Sequence, residues 1–150
     1  MKNKKELLAY CGLYCGDCAG YNGEIADAAQ KLKETTEKYK FHQTAKHLFR
    51  TKLKDYDKFC EMIDFMTELK CPKTCRSKKD EEIKCKIVLC CRNKGFFACH
   101  ECSVFATCDE LKTLSDLHGD SHIKNLSAIR EKGIDNWILR SKRLWFADDE

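Results

Sequence analysis

The stretch YCGLYCGDC, residues 10–18, places Cys11, Cys15 and Cys18 at the spacing C-x3-C-x2-C. Three thiolates at such spacing suit two chemistries: holding an iron–sulfur cluster, or supplying three ligands to zinc. Further along come CPKTC, CKIVLCC and CHECSVFATC, which add Cys71, Cys75, Cys85, Cys90, Cys91, Cys99, Cys102 and Cys108. Cys15-x2-Cys18 and Cys99-x2-Cys102 have the knuckle spacing that wraps one tetrahedral ion, with sulfurs about 2.3 Å from the metal. One such pair is weak evidence, whereas two, with three further paired groups in a short chain, point to metal.

Twelve cysteines among 150 residues are either a disulfide framework or a reduced set of metal-binding thiols, according to redox compartment. The opening MKNKKELLAYCG carries charges and no apolar run of signal-peptide length. No stretch approaches the ~20 apolar residues of a membrane span. The expectation is therefore a cytoplasmic protein with reduced thiols and no membrane contact. The formal net charge of +4 counts thiols as neutral. A zinc ion with four thiolates carries about −2, so two sites would cancel it. Total charge alone thus gives no case for nucleic acid.

The competing chemistries fit less well. Radical enzymes with the opening spacing usually place an aromatic residue before the third cysteine, where this chain has Asp17. They also need most of a β/α barrel, roughly 200 residues, and no strand–helix alternation is visible. The compact ferredoxin spacing is absent, although an iron–sulfur carrier remains the main alternative to zinc. Thiol redox chemistry normally needs a strand leading into the C-x2-C helix. A Cys99, Cys102, His118, His122 finger would require one continuous helix across the two histidines, and Gly119 interrupts it. His42, His47 and His100 read as surface residues. Asp17, His100 and Glu101, beside the knuckles, are the only candidates for general acid–base work at an open zinc. A metal-dependent enzyme is the second reading, behind a non-catalytic one.

The elements that must position these thiols read as helices. Ile25, Ala28, Ala29, Leu32 and Tyr39 follow a helical stripe from Glu24, and FHQTAKHLFRTKL either continues that helix or starts another near Phe41. Tyr56, Phe59, Cys60, Ile63, Met66 and Leu69 recur at three- and four-residue steps. Cys60 on that stripe reads as a buried thiol. Pro72 stops the helix before CPKTC. If CKIVLCC is helical, Cys85 and Cys90 lie about 140° apart around the axis and would serve different ions. DELKTLSDLHG and DSHIKNLSAIREKG read as helices closed by Gly119 and Gly133. Ile134, Trp137, Ile138, Leu144 and Trp145 read as the face of a last helix. The expected fold is mainly α: one small helical domain over 1–150 with cysteine-rich metal-binding loops, a long helical insertion over about 24–70, and C-terminal helices over about 109–146.

YCGLYCGDCAGY, CPKTCR, CKIVLCCRNKG, FFACHECSVFATCDEL and the closing LSAIREKGIDNWI resemble, in order, a cysteine-rich prokaryotic family called domain of unknown function 3795. The resemblance implies zinc binding and no established activity. It matches Cys11, Cys15, Cys18, Cys71, Cys75, Cys85, Cys90, Cys99, Cys102 and Cys108 as metal ligands, with Cys60 and Cys91 additional. Two features depart from the family pattern: Cys71 and Cys75 stand one residue wider than usual, and Thr107 replaces a common proline. The reading is a protein with one or two structural zinc ions and a binding role. Its partner is a protein, or a nucleic acid met by the basic 70–94 segment (Lys70, Lys73, Arg76, Lys78, Lys79, Lys84, Lys86, Arg92, Lys94). The competing reading of that segment is that its cations offset thiolate charge while Phe96 and Phe97 pack into the core.

Overall fold

In a computed structural model, residues 4–139 and 143–146 are described. Among them the chain is mainly helical, with nine α-helices and no strand. A lone bridge joins Leu8 to Tyr14. No helix among the described residues is long and apolar enough to cross a membrane. The chain forms two compact units: residues 19–72, and residues 1–18 with 73–150.

The first unit contains α1 (Ala19–Asn22), α2 (Glu24–Lys38), α3 (Phe41–His47) and α4 (Tyr56–Thr67). The α4 stripe follows its periodicity as far as Met66: Tyr56 and Ile63 are buried, and Phe59, Cys60 and Met66 are half-buried beside them, while Leu69 lies past the end of the helix and is exposed. Cys60 is thus less enclosed than its position on the stripe suggests. In α2 the buried residues are Ala26 and Ala29, with Lys33 and Thr36 half-buried along the same face. Ile25, Leu32 and Tyr39 remain exposed. The stripe read from the large apolar residues is therefore corrected: small side chains face α4, and Lys33 closes the pair with a 2.9 Å ion pair to Asp64. Lys40, at φ 49° in the left-handed region, ends α2, so α3 is a new helix.

The second unit contains α5 (Lys86–Lys94), α6 (Asp109–Lys112), α7 (Ser115–His118), α8 (Ser121–Lys132) and α9 (Ile134–Ile138). It has two apolar clusters. One gathers Tyr10, Ile87, Val88, Phe105, Leu111 and Leu126 with several cysteines. The other centres on Trp137, wholly buried with Leu8, Tyr14, Ile129 and Ile138. The last helix stops at Ile138, earlier than its apolar pattern suggests. Residues 140–142 lie outside the described residues. Leu144 and Trp145 are not helical, because side chains of α7 and α8 bind the backbone there. Asn125 donates to the Leu144 carbonyl and accepts its N–H, and Ser121 donates to the Phe146 carbonyl.

Gly12 fixes the loop that carries Cys11. It has φ 92°, and a Cβ there would lie 2.6 Å from Leu126 Cγ and 2.8 Å from the His122 carbonyl oxygen. Gly12→Ala should cost about 2–4 kcal/mol, from left-handed strain plus overpacking against backbone. A urea titration should show the midpoint fall with an unchanged slope.

His122 is wholly buried on α8, and neither ring nitrogen has a hydrogen bond of normal geometry. Burial lowers its pKa below the usual 6.5, against a smaller opposing pull from the Leu111 backbone. The folded protein thus holds a neutral ring while the unfolded chain takes up a proton near pH 6.5. The stabilisation is complete above that pH and is lost as pH falls through the lower folded value. Denaturation midpoints measured between about pH 8 and 5 should decline in the acid half. The decline should be shallower in His122→Phe.

Candidate functional site

The cysteine turns share one local geometry. Cys15–Asp17 and Cys99–Glu101 are both single 3₁₀ turns. Each is closed by the N–H of its second cysteine: Cys18 to the Cys15 carbonyl at 3.1 Å, and Cys102 to the Cys99 carbonyl at 3.0 Å. Side chains three apart eclipse in a 3₁₀ turn, so each C-x2-C pair presents its two sulfurs on one side. Phe105–Thr107 repeats the conformation and delivers Cys108. Gly16, within the first of these turns, has a steric role. A Cβ there would meet the Tyr14 ring at 2.4 Å, and that ring lies edge-on to Trp137.

Four arginines anchor these turns and the segments beside them. Arg76 donates to the carbonyls of Leu8 and Phe97, at 2.5 and 2.7 Å, with its guanidinium between the rings of Tyr10 and Phe97. Arg130 donates to the carbonyls of His100 and Cys102, at 2.8 and 2.5 Å, and lies over Phe105. Arg92 binds Asp80, the Tyr10 hydroxyl and the Lys78 carbonyl. Arg143 makes a two-pronged pair with Asp17 at 2.6 and 2.7 Å. Planar five-donor guanidinium groups suit such multi-carbonyl clamps better than lysine. Of the basic 70–94 residues, Arg76 and Arg92 thus turn inward. Lys70, Lys73 and Lys86 pair with Asp27, Glu82 and Glu110. Phe96 packs against one apolar cluster and Phe97 against the other.

Five thiols surround one cavity of about 230 Å³: Cys90, Cys91, Cys99, Cys102 and Cys108, with Cys91 and Cys99 buried. The Cys91 and Cys99 sulfurs are 3.5 Å apart, close to the ~3.8 Å edge of a tetrahedron with 2.3 Å metal–sulfur bonds. Cys75 and Cys85 line a second cavity of about 270 Å³. The charges of both reach Cys11. The Tyr10 carbonyl next to Cys11 accepts the Cys99 N–H at 2.9 Å. Cys85 caps α5 while Cys90 lies within it, and the two line different cavities. Cys15 and Cys18, both half-buried, line neither. Cys71 is exposed in the 19–72 unit, its N–H bonded to the Gly20 carbonyl. Cys91, which the family pattern leaves out, belongs to the larger thiol group. Its position on the buried face of α5, with Ile87 and Val88, is the signal that finds it.

Among the described residues, no three His, Cys, Asp or Glu side chains already form a group set to hold a metal ion. Among the described residues the cysteines form no disulfide. Burial pushes the Cys11 thiol up to about 12, with the nearby Cys75 and Cys85 adding to the effect. Cys99, in contact with the Cys91 sulfur and buried, is raised as well, and Cys91 is lowered by the same contact. His100 is half-buried, and burial lowers its pKa. His42 and His47 are exposed, and His118 and His122 are buried. Asp17 is taken by Arg143, and Glu101 accepts the Phe97 N–H at 2.7 Å.

Over residues 7–113 the chain matches the family described as Protein of unknown function (DUF3795). The protein belongs to that family. The matched region of this DUF3795 protein takes in the turns of Cys11–Cys18 and Cys99–Cys108 and the arginine clamps Arg76 and Arg92. Arg130, Arg143 and Trp137 fall beyond it. No curated protein and no solved structure matches the chain.

Proposed function

We propose that the protein is a zinc-binding module in which cysteine thiolates hold one or two structural zinc ions. It acts by binding a partner and not by catalysis, and we place it in the cytoplasm, where thiols stay reduced. The observation that carries the reading is the group of five thiols around one cavity, with Cys99 and Cys102 brought there by a 3₁₀ turn. The arginine clamps support it: they bind backbone carbonyls and leave the sulfurs to a cation. Cys99, Cys102 and Cys108 with Cys91 or Cys90 are the first site's ligands. Cys11, Cys75 and Cys85 are the core of a second. The engagement of Asp17 and Glu101 with other groups favours a structural metal over one with an attendant general base.

The test is zinc stoichiometry by elemental analysis of variants purified without added metal. Cys99→Ser should lose about one zinc per chain, and Cys75→Ser should lose a different one if two are present. Cys60→Ser, in the other unit, should lose none. Equal metal content in Cys99→Ser and the parent would contradict the assignment.

A further inference from the structure

The 19–72 unit holds a cavity that its helices leave unfilled. It measures about 560 Å³, within the roughly 300–1,000 Å³ of small-molecule sites. One wall is aromatic: Phe41 meets Tyr56 edge-on at 5.7 Å, and Phe59 tilts against Tyr56 at 5.8 Å. Leu32 and Leu53 complete the apolar lining. A smaller hollow of about 170 Å³ shares Leu32, Thr36, Tyr56 and Phe59 with it. Of the large apolar side chains on the connection from α3 to α4, Leu53 lines the space while Leu48 and Phe49 turn outward. Leu48 is 76% exposed and Phe49 46%.

The same connection puts charge at the opening. Lys52 and Lys54 are exposed on the cavity lining. Neither has an acidic partner among the described residues. Asp55, the carboxylate on this lining, lies 4.0 Å from Lys58. An apolar hollow with an aromatic wall and two unpaired ammonium groups at its rim is complementary to one kind of small molecule.

We propose that this cavity binds an amphipathic organic monoanion, with a hydrocarbon body of about ten carbons and a single carboxylate. The body displaces water from Leu32, Phe41 and Phe59, which gives the favourable term. The carboxylate takes charge-assisted hydrogen bonds from Lys52 and Lys54. Because the rim is open to solvent, the charge contribution weakens as salt rises.

Sodium decanoate, below its micelle concentration, is titrated by calorimetry into the 150-residue chain, alongside 1-decanol and vesicles of anionic phospholipid. Saturable one-to-one binding of decanoate is expected, with decanol about tenfold weaker or worse. Lys52→Glu/Lys54→Glu, which alters only exposed side chains and whose fold is checked by circular dichroism, should weaken decanoate by a similar factor. Absence of saturable decanoate binding overturns the proposal. So does equal binding of decanol, an unchanged affinity in the double variant, or binding to vesicles alone.

Discussion

If the thiols hold structural zinc as proposed, a strong chelator should unfold the cysteine-bearing unit and leave much of the 19–72 unit helical. Structural zinc contributes about 10–16 kcal/mol in finger peptides at neutral pH. A whole domain is stable by only about 5–15 kcal/mol, so a single lost site is enough. The expectation follows from how little else orders the cysteine turns. Cys15–Cys18 and Cys99–Cys102 are one-turn 3₁₀ elements. The arginines that clamp the turns bind backbone carbonyls and the Asp17 carboxylate, and none binds a sulfur. In the 19–72 unit, α2 and α4 pack through Ala26, Ala29, Tyr56 and Ile63, with no need of a metal. Hydrogen exchange of the chelated protein should therefore show protection lost over residues 73–139 and retained in α2 and α4. Cys99→Ser should reproduce the pattern in part. Unchanged melting after complete metal removal would contradict the structural role.

Trp137→Ala should be the most damaging single change in the apolar core. The indole is fully buried on α9 against Leu8, Ile129 and Ile138, with the Tyr14 ring edge-on at 6.0 Å. Removing a buried tryptophan costs about 3–5 kcal/mol, since the transfer free energy is lost and a cavity remains. The melting temperature should fall by roughly 10 °C or more. Leu139→Ala, two residues on and 75% exposed, is the matched control and should leave melting nearly unchanged. Because Tyr14 lies between this cluster and the Cys15 turn, Trp137→Ala should also loosen the opening motif, read as faster thiol labelling at Cys15 and Cys18.

Much of the helical fold was legible where large apolar residues and burial coincide. The Tyr56–Ile63–Met66 stripe is of that kind: a regular step on a helix that packs by its big side chains. The α2 stripe was misread in part: Ala29 is buried as read, but Ala26 completes that face and Ala28 is exposed. A pattern weighted by hydrophobic size points to Ile25 and Leu32 instead. The end of the last helix was hidden for a different reason. Leu144 and Trp145 continue an apolar pattern, but Asn125, Ser121 and His118 bind the backbone of 144–146 and offer it an alternative to helical bonds. Such pairings, about twenty residues apart, leave no local trace.

The candidate site divides in the same way. Its thiols announced themselves by spacing, and the two C-x2-C turns share one conformation because three residues close one 3₁₀ turn. The clamps did not. Arg76 and Arg92 looked like part of a basic stretch, and nothing in the sequence pattern singled out Arg130 or Arg143. Their partners are carbonyls and an aspartate 20 or more residues away for Arg76, Arg130 and Arg143. Cys91 was passed over because its neighbour Cys90 fits the family pattern. Burial of one face of α5 is what sets it beside Cys99.

Elemental analysis together with an absorbance spectrum, on protein purified without oxygen or added metal, tests the central claim most directly. The account predicts colourless protein with about one or two zinc ions per chain and no iron. Brown protein carrying iron and acid-labile sulfide would contradict it and assign the thiols to a cluster. Folded protein with no bound metal would contradict it as well.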